Sequence, residues 1–490
     1  MAALPRPAIL LLAALPLAGG LGCNSRLAAT LPPAGTVPPS PGQPAAVPLP
    51  PRGPETAATT FKVPDELLQP GATLALADIV NIALENSPQT RATWLQAKAA
   101  AALLGVRRAP YYPTVDLTAP VTASQVASSD GRQGDPTTVA GPALTLNYLL
   151  LDFGGRRATA EQAQWNLIAV DWLHNAAIQN TVFSVVQAYY QYLNAKGQVG
   201  AAKTALESTR KNLEAATVRH DAGVATIADV LQARTAVSQA ELALQGYEGA
   251  VTVLRGALAT SMGLPANLPL DVGDLPGEVP LDRAQPAVDA LINEAMMQRP
   301  DLASARAAAQ RAAKQIDIAR SAGLPALYAT ASTSGNFYVP GDYGDYRTNW
   351  SARVLFSMPL FSGYALSYEL QRTQREAEVA GALVQSLEQQ VILQVWTSYY
   401  ALETATRRLQ TSRDLLDSAT QSERVAFGRY NEGVGTILDL LVAQAALANA
   451  RAQEIQSRTD WFVSLARLAR DTGAATPLAD TVTIQPRPNP

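Results

Sequence analysis

The sequence predicts a mostly α-helical chain with a smaller β part, in which one unit of helix, β hairpin, long helix and return helix occurs twice. The first observation is an internal repeat, because the segment RHDAGVATIADVL at 219–231 is matched by RYNEGVGTILDLL at 429–441. The second is that proline is absent from 154–218 and 363–428, which favours uninterrupted helices. The third is a period-two alternation of polarity, typical of strands. It occurs at 114–124, 143–151, 326–333 and 348–358.

Composition excludes several classes of function. The chain has 490 residues, 16% of them charged, and a formal net charge of -3. A nucleic-acid-binding protein would carry a basic excess, so we expect no nucleic acid. The two histidines, His174 and His220, are too few for a histidine-rich metal site. The sequence contains neither a phosphate-binding Gly-x-x-x-x-Gly-Lys-Ser/Thr motif nor a glycine-flanked serine nucleophile, so we expect no cofactor and no catalysis.

The N-terminal region has the pattern of an export signal. Residues 1–22 contain one basic residue, then an apolar run too short to span a bilayer, then small residues. Cys23, the only cysteine, follows directly and resembles the lipid-bearing cysteine of bacterial lipoproteins, although Gly20 replaces the usual leucine. We expect Cys23 to carry lipid such as palmitate; the alternative is ordinary cleavage that leaves a free thiol.

The remaining chain divides into a tether, two repeats, a linker and a tail. Proline is dense after Cys23, which predicts an extended tether at 23–72 or a disordered tail without function. We place the first repeat at 73–270, the linker at 271–287, the second repeat at 288–473 and a C-terminal tail at 474–490.

Each repeat is expected to have the same order of elements. A first helix covers 76–108 or 286–321, and a β hairpin follows. The proline-free long helix then reaches roughly 100 Å at about 1.5 Å per residue. A return helix follows the glycine turn, at 225–261 or 435–471. The two shorter helices together match the long one, so we expect them to lie end to end beside it.

The strand count bears on assembly. Two hairpins give four strands per chain, which cannot close a barrel, and open sheet edges are not tolerated in lipid. Two chains would give eight strands with a filled interior, whereas three would give twelve, wide enough for an aqueous lumen. The pattern therefore suggests a trimeric barrel continued by a helical tube. A soluble β-hairpin cap on a coiled coil is the alternative.

The doubled motifs resemble those of the TolC-type outer-membrane efflux proteins, the outer membrane factor family. The likeness includes the Gly-Val-x-Thr turns and the strand-to-helix junctions Leu-Asp-Phe-Gly-Gly and Leu-Phe-Ser-Gly, and it covers about 73–473. It implies a homotrimer with a twelve-stranded outer-membrane barrel and a periplasmic α-helical barrel, anchored by lipid at Cys23. It also implies a passive exit channel of a tripartite efflux pump, whose partners are a periplasmic adaptor and an inner-membrane pump of the resistance–nodulation–division type. A lipid-anchored periplasmic coiled-coil scaffold without a pore is the alternative.

The resemblance also implies site residues. The family's turns form a periplasmic tip that meets the adaptor; here they are Gly223, Val224, Ala225, Thr226, Gly433, Val434, Gly435 and Thr436. Family positions of a closing gate match Asp229 bonded to Tyr430, with Asp439 at the constriction. Two family residues are absent, because Gly435 replaces an arginine and Val442 an aspartate. The alternative is structural: the glycines reverse the chain, and Asp229 and Asp439 cap the return helices.

Overall fold

The computed structural model describes residues 74–125, 131, 133–277, 279, 287–339 and 346–474. The signal, Cys23, the Pro-rich segment, much of the linker and the tail from 475 lie outside the described residues. The elements of the first half are α1 Leu76–Asn86, α2 Pro88–Arg108, β1 Thr114–Thr118, β2 Val121–Ser124, β3 Thr137–Ala140, β4 Ala143–Leu151, α3 Gly155–Asp221 and α4 Ile227–Ser261. Those of the second half are α5 Val288–Gln298, α6 Pro300–Ser321, β5 Ala326–Val339, β6 Tyr346–Ser357, α7 Ala365–Asn431 and α8 Ile437–Asp471.

The two halves repeat with a constant spacing in their long helices. Both α3 and α7 have 67 residues, and both α4 and α8 have 35. The start of α7 minus that of α3 (365 minus 155) and the start of α8 minus that of α4 (437 minus 227) both equal 210. A residue of α3 or α4 therefore has its counterpart 210 positions later. None of the helices within the described ranges combines the length and the apolarity needed to cross a bilayer.

The first helix of each half is two helices, contrary to the single helix expected at 76–108 and 286–321. The breaks fall at Ser87 and Arg299, each followed by a proline that begins the next helix. Proline lacks an N–H and restricts the preceding residue to extended conformations. The ψ angles of Ser87 and Arg299, 119° and 122°, follow that rule.

The hairpin of the first half is broken midway, where one continuous strand was expected at 114–124. The chain leaves the ladder at Pro120 on one side and at Gly141 and Pro142 on the other, so β1 pairs with β4 and β2 with β3. A Cβ on Gly141 would lie 1.7 Å from the Gly335 carbonyl oxygen, so this crossing requires glycine. In the second half, β5 and β6 form one longer ladder that extends the expected strands.

All the strands join one antiparallel sheet. β5 pairs with β6 along one side and with both β3 and β4 along the other. The sheet therefore has the width of four strands, with β1 and β2 at one edge and β6 at the other. No described strand pairs with the outer side of either edge.

Two apolar clusters lie where the short helices meet the long ones. Ile79, Leu193 and Met262 belong to the first, and Val395 and Trp461 to the second. The second also contains an internal polar contact, since the Trp461 indole N–H donates to Thr406 Oγ1 at 3.0 Å. These clusters hold the return helices against the long helices and so position the turns that connect them.

Candidate functional site at the helix turns

Two matching turns connect the long helices to the return helices. After α3 the chain turns at Gly223, whose φ is 75°, and after α7 at Gly433, whose φ is 76°. Each turn closes by hydrogen bonds to the last helical turn, as from the Gly223 N–H to the His220 carbonyl at 2.8 Å. The eight tip residues expected from sequence all lie in these turns or at the start of the return helices. The side chains of Val224 and Val434 are exposed, so each turn presents an apolar surface.

Asp229 and Asp439 both cap the return helices. The Asp229 Oδ2 atom accepts from the Thr226 N–H at 2.8 Å and from Thr226 Oγ1 at 2.9 Å. The Asp439 Oδ2 atom accepts from the Thr436 N–H at 3.2 Å and from Thr436 Oγ1 at 2.8 Å. The hydroxyls of Thr226 and Thr436 in turn accept from the two aspartate N–H groups. The reciprocal bonds are capping boxes, which satisfy the free N–H groups of a helix start.

The environment of Asp439 stabilises its ionised form. The hydroxyl of Thr436 contributes most to lowering the pKa of Asp439, followed by the Thr436 N–H and the nearby positive charge of Arg429. A carboxylate held in this way is also favoured by the positive end of the helix dipole.

The structure does not show the hydrogen bond expected between Asp229 and Tyr430. The bonds of the Asp229 carboxylate go to Thr226, on its own turn. Tyr430 is buried, and its hydroxyl has no hydrogen-bond partner among the described residues. The two side chains that the family resemblance pairs are thus present at the turns without that bond.

Arg219 makes the contact between the two turns, and sequence reasoning did not assign it a role. Its guanidinium donates from Nη1 to the Tyr430 carbonyl at 2.9 Å and from Nη2 to the Asn431 carbonyl at 3.0 Å. It also lies over the Tyr430 ring, 4.4 Å from the centroid. These carbonyls belong to the last turn of α7, where helix carbonyls lack intrahelical partners and positive charge is favoured. One side chain therefore caps α7 and ties it to the end of α3.

The described residues contain no group of three or more His, Cys, Asp or Glu side chains that could hold a metal ion. The turns instead offer small, apolar and hydrogen-bonding surfaces. Such an arrangement can contact a partner or move as a unit.

Comparison with known proteins agrees with this architecture. The model of the outer membrane efflux protein family matches residues 79–264 and again 291–474. Protein CyaE of Bordetella pertussis is 29% identical over 389 residues, which cover 78% of this chain and 80% of the relative. The toluene efflux pump outer membrane protein TtgC of Pseudomonas putida is 24% identical over 408 residues, covering 81% of this chain and 83% of the relative.

Solved structures show the same fold. The outer membrane protein VceC of Vibrio cholerae superposes with a TM-score of 0.71 at 22% identity, covering 81% of this chain and 96% of that one. The CmeC outer membrane channel of Campylobacter jejuni gives a TM-score of 0.71 at 18% identity, covering 86% and 93%. The fold class predicted from the sequence, a duplicated helical unit with a β part, is confirmed. Because the family model matches most of the chain, in both of its halves, the chain belongs to the outer membrane efflux protein family.

Proposed function

We propose that three copies of this chain form a passive conduit from the periplasm through the outer membrane, with no catalytic step. The observation that carries the proposal is the sheet, whose two outer edges have no partner in the described chain. In a bilayer, unpaired N–H and C=O groups at such edges are too costly, so neighbouring copies must pair them. Three sheets of this width give twelve strands, enough to surround water, whereas two give eight.

The helices support association between copies. Helix α8 of the second half covers one face of α3, the long helix of the first half. Phe462 stacks on Tyr190 at 4.7 Å between ring centroids, and Arg470 lies 4.4 Å over the Phe183 ring. The counterparts of Phe183 and Tyr190 on α7 are Leu393 and Tyr400. Phe183 and Tyr190 are each 8% exposed, but Leu393 is 64% and Tyr400 40% exposed. The face of α7 that corresponds to the covered face of α3 therefore has no equivalent neighbour among the residues that the structure describes.

Helix α4 has the complementary uncovered face. Leu242 and Val253, both exposed, are the counterparts of Ala452 and Val463 on α8, and Val463 packs against the first core cluster. The side-chain sizes on these faces of α7 and α4 are also complementary. On α7, Trp396 occupies the position of the smaller Val186 on α3. On α4, glycine occupies two positions where α8 has threonine or alanine. These glycines are Gly249 and Gly256, opposite Thr459 and Ala466 in the repeat. We infer that α7 of one copy packs on α4 of the next, with Tyr400 near Thr252.

The turns are the proposed gate and docking site. Asp229, Tyr430 and Asp439 lie there, and Arg219 joins the two turns of one chain. Three Asp439 carboxylates around a narrow axis would repel one another and attract cations. An adaptor protein meeting the exposed valines of the turns would release the contacts and let the helix ends move outward. A pump in the inner membrane, which we propose to be of the resistance–nodulation–division type, would supply the energy.

Lipid at Cys23 is a separate part of the proposal. The cysteine follows the export signal and precedes a long proline-rich segment, which suits an anchored tether. Mass spectrometry of the mature N-terminus would then find a diacylated or triacylated Cys23 in the wild type. An unmodified thiol at that position would remove the anchor from the account without affecting the conduit.

Single-channel recording in planar bilayers tests the conduit. We expect detergent-extracted protein to give discrete conductance steps of one size class. Protein that stays soluble without detergent after Cys23→Ser and never inserts would instead identify a lipid-anchored scaffold. The Cys23→Ser variant is the control, because a protein with a membrane barrel would still need detergent after its lipid anchor had been removed.

A further inference from the structure

Two arginines occupy equivalent positions at the turns but differ in their contacts. Arg219 is partly covered and holds the end of α7. Its counterpart Arg429 is exposed, and among the described residues its guanidinium makes no hydrogen bond or ion pair. Its charge acts on Asp439 through space. The same residue type at the same turn therefore has hydrogen-bond partners in one half of the chain and, within the part of the chain that the structure describes, none in the other.

The internal repeat identifies where the partner of Arg429 should lie. The groups held by Arg219 belong to Tyr430 and Asn431, whose counterparts in the first half are His220 and Asp221. Tyr430 is buried beneath Arg219, whereas the side chain of His220 is 39% exposed. The His220 ring contacts its own neighbour, at 3.4 Å between Nδ1 and Asp221 Oδ1. The end of α3 thus presents an aromatic ring and the carbonyls of a last helical turn, with no guanidinium over them in the described chain.

We infer that Arg429 of each copy clamps the end of α3 in the next copy, lying over the ring of His220 and donating to the carbonyls of His220 and Asp221. The inference rests on the proposed ring of copies and adds a specific contact at each interface between neighbouring copies, called the seam below. Charge supports it, because the first half carries an aspartate where the second carries Asn431. The Asp221 carboxylate is 73% exposed and would face the otherwise unpaired Arg429 cation.

The two kinds of clamp would have different strengths. The contact within a chain uses a buried tyrosine ring, which is a better partner for a cation than a half-exposed imidazole. The contact between chains adds the Asp221 carboxylate, but in water-exposed surroundings where ion pairs contribute little. The seams between copies are therefore the weaker contacts, and the tip opens there first.

Cysteine cross-linking tests the contact directly. We expect His220→Cys with Arg429→Cys, treated with a short bismaleimide, to give covalent dimers and trimers on denaturing gels. The pair Arg219→Cys with Tyr430→Cys should link within one chain and leave a monomer. Each single variant controls for cross-links through the native Cys23.

A second pair separates this inference from the proposed assembly. Tyr400→Cys with Thr252→Cys probes the α7–α4 contact far from the turns and should also give trimers. If that pair links copies while the 220–429 pair gives monomers, the seam clamp is wrong and the ring of copies stands. If neither pair links copies, both the clamp and the ring are wrong.

Channel recordings give an independent readout. We expect Arg429→Gln to raise the open probability by roughly tenfold, equivalent to about 1.4 kcal/mol. Arg424→Gln, which removes the same charge from an exposed position of the same helix, should change it less than about twofold. His220→Tyr should lower the open probability by making the seam resemble the contact within the chain. Equal effects of the two glutamine variants would overturn the clamp.

Discussion

Arg219 offers the sharpest functional test of the turns. Replacing it with glutamine removes the donor fork that reaches the Tyr430 and Asn431 carbonyls at 2.9 and 3.0 Å. It also removes the cation 4.4 Å from the Tyr430 ring centroid. The end of α7 would lose the contact that ties it to α3, so we expect the closed state to be destabilised.

The magnitude follows from these contacts. A hydrogen bond from a charged donor contributes about 1.5–3 kcal/mol when shielded, and we take about 1 kcal/mol for each because Arg219 is partly exposed. The cation–ring contact adds about 0.5–1 kcal/mol. The sum, about 2.5–3 kcal/mol per chain, shifts the ratio of open to closed tips by roughly 70- to 150-fold.

The assay is single-channel recording of variants reconstituted side by side. Arg210→Gln is the matched control: it lies on the same helix, and its ion pair with Glu241, 2.7 Å long, is exposed on both sides. Such pairs contribute at most about 1 kcal/mol, so its open probability should stay near that of the wild type. Arg219→Lys keeps the positive charge but lacks the two-pronged donor of the guanidinium, so its open probability should lie between those of Arg219→Gln and Arg210→Gln. An Arg219→Gln channel that opens no more often than Arg210→Gln would refute the reasoning.

The remaining predictions concern the same turns and the end of α4. Tyr430→Phe should leave conductance unchanged, because the hydroxyl has no partner in the described chain; a clear increase would instead reveal the bond to Asp229. Thr436→Ala should lower the unfolding temperature at neutral pH. Since the pKa of Asp439 is lowered in the folded chain, that difference should shrink as the pH falls through this lowered pKa, below about 4, to the part contributed by the Thr436 hydroxyl accepting from the Asp439 N–H; a pH-independent difference would contradict it. Gly263→Ala should destabilise the fold by about 2–4 kcal/mol in thermal unfolding, because φ is 76° and the added Cβ would lie 2.6 Å from the Asn86 carbonyl oxygen. Gly200→Ala, which meets open space, should be neutral or stabilising, and equal losses in both glycine variants would remove the steric argument.

The long helices and their turns were predictable because local chemistry determines them. Sixty or more residues without proline favour helix, and a glycine followed by Thr-x-x-Asp gives both the stop and the next start. The turns at Gly223 and Gly433 lie where these patterns indicated, and Asp229 and Asp439 cap the return helices as the structural alternative expected, with Thr226 and Thr436 as their N-cap residues. Repetition of the pattern after 210 positions made chance agreement improbable.

The breaks were less predictable because proline acts according to its surroundings. Pro88 begins a new helix inside the span 76–108, for which the sequence predicted one helix, since Ser87 accepts a hydrogen bond from the Thr90 N–H and caps it. Pro120 interrupts a strand only because the facing strand bends at the same level, at Gly141. Such agreement between distant segments is not visible in either segment alone.

The contact at the turns was the least predictable feature. Arg219 and Tyr430 are 211 residues apart, and no local pattern pairs them. The family resemblance suggested Asp229 as the partner of Tyr430, whereas in the structure Tyr430 contacts Arg219. A usable signal was present, because arginine occurs at the same position before both glycines, as Arg219 and Arg429.

Electron microscopy of detergent-extracted protein tests the central claim most directly. The account predicts three copies around one axis, a closed cylinder of twelve strands, and α7 of each copy packed on α4 of the next. Particles with one chain, or with two copies and a filled eight-stranded barrel, would contradict it.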